Sequence, residues 1–320
     1  MFTSRAHGVA RSSTHASSRD AFNAHAPRSF VAFGRFRRRA DARAAREREN
    51  DGEDSECTLD VARALARKAK DLYVKSDCVI GVGRGACVSE LMRVVSEDKT
   101  LKNVKVVACE PLAAKEAAVC GLENKSLDDV QAIDVTFVQP SECALVIVNG
   151  KKTFGAVLGR ETTPVQPDLE RQKKVMASSS KVVLLKELFV EKIGGSIPCV
   201  VPAEDWEEHA EELDDLLLGD AEVWRRGATF DANPRGGKVP YVSADGSHTI
   251  LDLRFEDPIN AGRWECGLML DGQPCGPYEM QQALENEVQG VVAHGLFTQA
   301  DSVITLNPRT MEAVEIKRER

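Results

Sequence analysis

A lysine and a glutamate stand nine residues apart in the segment that runs from Lys152 to Glu161. A carboxylate can remove a proton next to a carbonyl group, and an ammonium can stabilise the negative oxygen that then forms. Charged residues at this spacing usually lie on a solvated surface, so the pair alone is weak evidence. It indicates proton-transfer chemistry only if other parts of the chain supply a matching site.

A glycine-rich turn, Gly81-Val82-Gly83-Arg84-Gly85-Ala86-Cys87, follows an apolar stretch and precedes a helical pattern. Backbone N–H groups at the start of a helix attract phosphate, and Arg84 adds a positive charge. A structural turn with a surface arginine explains the glycines equally well. A dinucleotide site is a minor alternative, because the third glycine of that fingerprint falls at Ala86, a position that tolerates alanine.

Short apolar stretches alternate with amphipathic helical patterns between residues 57 and 194. The stretches predict strands near 78–82, 104–108, 133–138, 145–148 and 181–185, with helices between most of them. This order predicts an α/β fold: a doubly wound, mostly parallel Rossmann-like sheet. Residues 195–299 give strands near 197–201, 222–229, 241–244 and 250–255, with helices near 206–218 and 280–288. They predict a smaller α+β, ferredoxin-like domain.

The predicted domain boundaries follow from these patterns. The Rossmann-like domain takes residues 57–194 and also 300–320, where a hairpin at 303–316 rejoins the first sheet. The smaller domain takes residues 195–299. Residues 41–56 are rich in charged residues and predict a solvated linker.

The first 40 residues contain eight arginines and a single acid, Asp20, for a net charge of +7. This composition predicts a disordered transit peptide to the chloroplast, with the mitochondrion as alternative. A basic arm that contacts RNA or membrane is the competing interpretation. The whole chain carries −8, so the remainder is near −15, and we expect no general nucleic-acid binding. No apolar run is long enough to span a bilayer, so we expect no membrane partner.

The nine cysteines include no Cys-x-x-Cys pair, and the histidines lack the spacing of metal ligands. Reduced cysteines that pack as small apolar side chains are therefore the expectation. The sequence predicts neither a metal site nor disulfides.

The chain resembles ribose-5-phosphate isomerase A over about residues 57–318. The segments that carry this resemblance are Ile133–Phe137, Lys152–Glu161, Lys192–Val201, Asp245–Asp252 and Gly290–Phe297. It implies interconversion of D-ribose 5-phosphate and D-ribulose 5-phosphate, in the non-oxidative pentose phosphate pathway or the reductive pentose cycle. It also implies a dimer or tetramer and no cofactor.

The resemblance assigns residue roles as well. Glu161 would move the proton between two sugar carbons, and Lys152 would stabilise the enediolate oxygen. Lys151 is a competing lysine, because one residue is inserted after Glu142. The positions that would contact the sugar phosphate are Gly83, Arg84, Gly85, Ala86, Cys87, Ser141, Glu142 and Gly155.

Several of these positions depart from the family pattern. Two aspartates of the family become Val138 and Ser141, and the hydroxyl residues of its phosphate loop become Arg84, Ala86 and Cys87. A basic position after the strand at 181–185 falls near Leu188. We therefore expect greatly reduced turnover. The alternative is a pseudoenzyme that binds a sugar phosphate or a partner without turnover.

Overall fold

The computed structural model describes residues 57–148, 150–160, 166–217, 221–228, 239–255, 259–260, 269–270, 273–274 and 276–319. The predicted transit peptide and linker lie outside these residues, as does Glu161. Residues 57–320 form one compact unit. In the part of the chain that is described, no helix is both long and apolar enough to cross a bilayer.

The described helices, in chain order, are α1 (Leu59–Tyr73), α2 (Ala86–Glu97), α3 (Pro111–Val119), α4 (Leu169–Ala177), α5 (Trp206–Leu217) and α6 (Pro277–Asn286). The described strands are β1 (Val79–Val82), β2 (Lys105–Ala108), β3 (Glu123–Asn124), β4 (Val135–Val138), β5 (Glu142–Val148), β6 (Lys151–Val157), β7 (Val182–Leu185), β8 (Lys192–Ile193), β9 (Ser196–Pro202), β10 (Ala221–Arg225), β11 (His248–Phe255), β12 (Ile259–Asn260), β13 (Met269–Leu270), β14 (Gln273–Pro274), β15 (Ala293–His294), β16 (Leu296–Phe297), β17 (Ser302–Leu306) and β18 (Ala313–Lys317).

The largest sheet has the strand order β18-β17-β7-β4-β1-β2-β3. Its neighbours are parallel except for the antiparallel hairpin β17–β18, which joins through β17 and β7. The mostly parallel, doubly wound sheet and the returning C-terminal hairpin are therefore confirmed. Parallel strands place their carboxyl ends along one edge, where ligands of open α/β sheets bind.

Helix α1 shows how the local sequence builds this layer. Thr58 caps its start, with the Val61 N–H donating to Thr58 Oγ1 at 3.4 Å. One face of the helix buries Leu65 and three alanines completely, against α2 and the main sheet. Burying a leucine side chain contributes about 1.5–3 kcal/mol, so this face holds α1 on the sheet. Helix α4 and strands β5 and β6 belong to clusters on the opposite side of the sheet.

The second sheet is antiparallel, with the order β10-β11-β9-β15. Helices α5 and α6 pack on it through Leu213, Leu217, Met280 and Leu284. The smaller α+β element of the predicted fold is thus confirmed. Its treatment as a separate domain with boundaries at 195 and 299 stays a prediction.

Strands β5 and β6 form a hairpin that the sequence did not reveal as one. They pair from Glu142–Val157 to Val148–Lys151, and β16 extends the hairpin to three strands. The predicted strand at 145–148 exists but lies outside the main sheet. The second half of β6 is buried at every position, so the alternation that identifies a half-exposed strand is missing.

The strand predicted at Tyr241–Ala244 is absent from the described residues of that range. Ser243 instead begins a turn in which its hydroxyl donates to Asp245 Oδ1 at 2.6 Å, and the Ser247 hydroxyl donates to Oδ2 at 2.7 Å. Short polar side chains that bond to their own turn compete with a strand ladder.

Candidate functional site at the carboxyl edge of the main sheet

The glycine turn lies at the carboxyl end of β1 and opens α2, as predicted. Gly83 donates its N–H to Phe137 O at 2.9 Å, which ties the turn to β4. Gly85 has a φ of +124°, and a Cβ there would come within 2.7 Å of Gln139 Cβ. Backbone conformation and space both require glycine at this position.

Gln139 occupies the start of α2, where a phosphate was expected. Its Oε1 accepts the Cys87 N–H at 2.8 Å, which supplies a partner for one of the first amides of the helix. Its Nε2 donates to Glu187 Oε1 at 3.0 Å. A phosphate that bound the Cys87 amide would therefore have to displace the Gln139 side chain.

Arg84 is engaged by Glu110, the residue that follows β2 and precedes α3. The guanidinium donates from Nε to Oε1 at 3.1 Å, and its second contact with the carboxylate is also 3.1 Å. Burial raises the pKa of Glu110, and the charge of Arg84 opposes this rise. The charge that could attract phosphate is thus already compensated by a buried acid, which also removes Glu110 from a dinucleotide-binding role.

The residues that replace the family's aspartates are Val138, the last residue of β4, and Ser141, three residues further on. Val138 is fully buried, and Ser141 is half-buried. The Ser141 carbonyl accepts Lys186 Nζ at 2.9 Å, so the main chain, rather than a carboxylate, holds a cation here. Lys186 follows β7, and it supplies the positive charge that the sequence comparison had missed at Leu188.

Glu142 forms a structural bridge to the turn before β9. Its Oε1 lies 2.7 Å from Arg160 Nη1, and its Oε2 accepts the Gly194 N–H at 2.7 Å. Arg160 also donates to the carbonyls of Gly194 and Ser196. Glu142 thus joins two segments of backbone, and its role as a sugar-phosphate contact stays a prediction.

The structure does not bring Lys152 to this edge. Lys152 lies opposite Ile147 in the hairpin, five positions along β6 from the Glu142–Val157 pair, which is roughly 17 Å away. Its exposed Nζ lies 3.6 Å from Glu319 Oε1. The neighbouring Lys151 is also exposed and pairs with Val148 at the hairpin turn. A Cβ atom added at Gly155 would lie 3.1–3.2 Å from the side chains of Val146, Ile193 and Pro277.

Glu187 is the residue at this edge that sequence reasoning overlooked. Its Oε1 accepts a hydrogen bond from Gln139 Nε2 and lies 3.8 Å from Cys87 Sγ. Its Oε2 lies 3.3 Å from Lys186 Nζ. Burial tends to raise the pKa of Glu187, but the Cys57 thiol and the Lys186 charge outweigh it, so the pKa is lowered. Its position after a parallel strand was the available signal, since the same rule selected the ends of β1 and β4.

A cleft of about 340 Å³ lies away from this edge, next to the start of β7 and the end of α1. Its lining residues are Leu72, Tyr73, Lys181, Asp301, Glu315, Lys317 and Arg318. The Tyr73 hydroxyl is hydrogen-bonded to Ser302 at 2.8 Å and to Glu315. Because the cleft lies at the amino end of β7, we assign it no part in the site.

Lys173 on α4 is a half-buried cation next to β16. Its Nζ donates to Leu296 O at 2.8 Å and lies 5.4 Å above the ring of Phe297. Burial lowers the pKa of Lys173 to about 8, although Glu285 acts in the opposite direction. The folded protein therefore binds the Lys173 proton less tightly than the unfolded chain does.

This lowered pKa predicts a pH dependence of stability. The unfolded chain keeps the Lys173 proton up to about pH 10.5, and the folded protein loses it near pH 8. Between these values the unfolded state binds more protons, so raising the pH stabilises the fold by at most about 1.4 kcal/mol per pH unit. We expect the stability difference between wild type and Lys173→Met to move in favour of wild type across this window. Urea unfolding of both proteins at several pH values measures this stability difference. A stability difference that does not change with pH would contradict the lowered pKa of Lys173.

An open α/β sheet with a glycine turn at a helix N-terminus defines a class of proteins that bind phosphorylated or other anionic small molecules at the strand ends. Within that class, the family model for ribose 5-phosphate isomerase A (phosphoriboisomerase A) matches residues 105–309. The chain belongs to this family. The match begins at β2, so it does not include the glycine turn.

Curated relatives and solved structures agree with this membership. The chain is 28% identical to ribose-5-phosphate isomerase A of Sinorhizobium fredii over 236 residues, which cover 70% of this chain and 84% of that one. It is 25% identical to ribose-5-phosphate isomerase of Plasmodium falciparum, over 77% of this chain and 92% of the relative.

Among solved structures, ribose 5-phosphate isomerase from Plasmodium falciparum superposes with a TM-score of 0.62 at 19% identity, over 82% of this chain and 100% of that one. Ribose 5-phosphate isomerase A from Methanocaldococcus jannaschii gives 0.60 at 20% identity, over 81% of this chain and 98% of that one. At these identities the structural likeness shows the fold.

Proposed function

We propose that this protein interconverts D-ribose 5-phosphate and D-ribulose 5-phosphate, with a turnover far below that of a site that keeps both aspartates. Family membership across residues 105–309, a range that includes Glu161, is the observation that carries this proposal. The reaction moves a proton from C2 to C1 of the sugar, with Glu161 as the base. The pathway would be the non-oxidative pentose phosphate pathway or the reductive pentose cycle.

The reduced rate follows from the groups at the carboxyl edge. A positioned acid or base contributes about 10²- to 10⁴-fold to a rate, and neither Val138 nor Ser141 can act as a carboxylate. The cation that the structure places nearest to Ser141 is Lys186, at 2.9 Å from its carbonyl oxygen. The role of Lys152 at the enediolate stays a prediction, because Lys152 lies far along β6 in this structure.

Restoring one carboxylate tests this proposal. Ser141 is half-buried beside Lys186, so an aspartate there would meet a cation. We expect Ser141→Asp to raise the rate of ribose 5-phosphate isomerisation towards the low end of the about 10²- to 10⁴-fold range of general acid–base catalysis. A coupled spectrophotometric assay of the purified full chain measures the rate.

Ser141→Asn is the matched control, because it has nearly the same shape as aspartate but no charge. Equal rates for the Asp and Asn variants would show that position 141 does not contribute a carboxylate to the reaction.

Binding without turnover is the second candidate function. It is favoured by the replacement of both aspartates by Val138 and Ser141, neither of which can act as a carboxylate. Saturable binding of ribose 5-phosphate in a calorimeter, combined with no turnover by wild type or by Ser141→Asp, would establish it and exclude the enzyme.

We also propose that residues 1–40 direct the protein to the chloroplast, or alternatively to the mitochondrion, and that the folded part self-associates. The arginine-rich, acid-poor composition supports the first proposal, and the resemblance to a family of dimers and tetramers supports the second. The localisation of a fluorescent fusion of residues 1–56 tests the targeting, and analytical ultracentrifugation of the folded part tests the self-association.

A further inference from the structure

Three side chains that could ligate a metal ion converge at the carboxyl edge from distant parts of the chain. Cys57 precedes α1, Cys87 lies in the first turn of α2, and Glu187 follows β7. The two Sγ atoms are 3.6 Å apart, and Cys87 Sγ is 3.8 Å from Glu187 Oε1. One ligand atom from each residue lies within 4.8 Å of the other two.

These separations match the edges of a tetrahedral zinc site. With Zn–S near 2.3 Å and Zn–O near 2.0–2.2 Å, tetrahedral angles place two sulfurs about 3.8 Å apart and a sulfur and an oxygen about 3.5–3.7 Å apart. The observed 3.6 and 3.8 Å therefore need adjustments of only a few tenths of an ångström. A disulfide would instead require the sulfurs to approach to about 2.05 Å, and it gives the carboxylate no role.

The surroundings of the three ligands orient them. Gln139 donates to the Glu187 carboxylate at 3.0 Å and accepts the backbone N–H of Cys87 at 2.8 Å, so one amide fixes two of the ligands. Groups of this kind, which hold the ligands rather than the metal, set the geometry of metal sites. Cys87 is fully buried and Cys57 is half-buried, so the site is sheltered without being closed.

We propose that Cys57, Cys87 and Glu187 bind one thiophilic divalent cation of the zinc type. Three protein ligands leave a fourth position for water or an anionic ligand, as in zinc sites that stay open. On binding, the two thiols lose their protons to solvent, and both sulfurs bond to the metal as thiolates. The positive charge of the cation also offsets the repulsion between two thiolates and a carboxylate that lie this close together.

Metal titration of the full-length protein, reduced and stripped with a chelator, tests this site. Zn²⁺ is titrated in competition with a chromophoric chelator, and Co²⁺ is used as a spectroscopic probe. We expect one equivalent of either metal, with thiolate-to-cobalt charge-transfer absorption and the strong visible bands of tetrahedral cobalt. Cys57→Ser and Glu187→Gln should each weaken binding by at least the 10- to 100-fold that the loss of a mere orienting group costs.

Cys120→Ser is the matched control, because Cys120 is a half-buried cysteine at the end of α3, outside the cluster. It should bind metal like wild type. Cys57→Ser keeps the test valid even if a change at the buried Cys87 prevents folding, and circular dichroism confirms that each variant is folded. Equal affinity in wild type and Cys57→Ser would overturn the site. A reduced protein that binds no cobalt, but loses two hydrogens in mass on oxidation, would overturn it in favour of a disulfide.

Discussion

Replacing Glu161 with glutamine is expected to lower the rate of ribose 5-phosphate isomerisation by about 10²- to 10⁴-fold, the range that a general base contributes. Glutamine keeps the size and the hydrogen-bonding capacity of the side chain but cannot accept the sugar proton. The binding of ribose 5-phosphate should change much less than the rate, because only the transfer of the proton requires a carboxylate.

The nearest described residues before and after Glu161 are held by hydrogen bonds to other segments. Leu158 is buried and donates its N–H to Gly295 O at 2.7 Å. The carbonyl of Gly159 and the side chain of Gln166 both accept hydrogen bonds from Arg226 Nη1, at 3.0 and 3.4 Å. Hydrogen bonds thus anchor Leu158, Gly159 and Gln166.

Glu170→Gln is the matched control for this change. Glu170 lies on α4 and pairs with Lys174 on the surface, so its loss should leave the rate unchanged. Steady-state kinetics of wild type, Glu161→Gln and Glu170→Gln test whether Glu161 is the base. A Glu161→Gln variant that turns over substrate as fast as wild type would exclude Glu161 as the base.

The Asp252→Ala variant is expected to lose about 3–5 kcal/mol of stability, since it leaves a buried arginine without its counter-ion. Arg226 and Asp252 form a bidentate pair, with Nε donating to Oδ2 at 2.9 Å, and both side chains are at least nine-tenths buried. They join β11 of the second sheet to the segment before Glu161. The variant should therefore also lose turnover.

The double variant Arg226→Met/Asp252→Leu separates these two effects. Apolar residues of similar size remove both buried charges together, and such replacements are often neutral or stabilising. We expect stability near that of wild type but low turnover, because Gly159 and Gln166 have lost their anchor. Urea unfolding gives the first quantity and the isomerase assay the second. A double variant as unstable as Asp252→Ala would show that the pair acts mainly through packing.

The sequence predicted elements best where one face of an element is buried. Helix α1 is one of the predicted amphipathic helices: its apolar residues repeat with helical spacing, and Thr58 caps its start. Strand β6 was missed, because burial on both faces hides the alternation of apolar and polar residues. A glycine near its centre also weakens the strand pattern. The prediction at 241–244 failed because serine and aspartate bond locally in a turn.

For the site, the sequence identified the glycine turn and the loss of the carboxylates but not the contacts that replace them. Gln139, which lies between the two replaced aspartate positions, received no role from the sequence, yet its side chain occupies the start of α2. Lys152 matched a family position by spacing, yet the β5–β6 hairpin carries it to the opposite end of its strand. Spacing along a chain fixes a distance only when the conformation between the two residues is known.

The sequence by itself thus determined the class of fold, the family resemblance and the loss of two carboxylates, since periodicity and residue type are local properties. Only the tertiary structure decided which side chains meet. Cys57, Cys87 and Glu187 are 30 and 100 residues apart along the chain, and they converge because they lie next to strand and helix ends that the parallel sheet aligns on one edge. The segment from Lys152 to Glu161, in contrast, includes most of β6, and Lys152 lies near the end of that strand that is distant from the edge. Side-chain contact depends on strand order and register as well as on residue type, and the spacing of residues along the chain does not give the order of the strands.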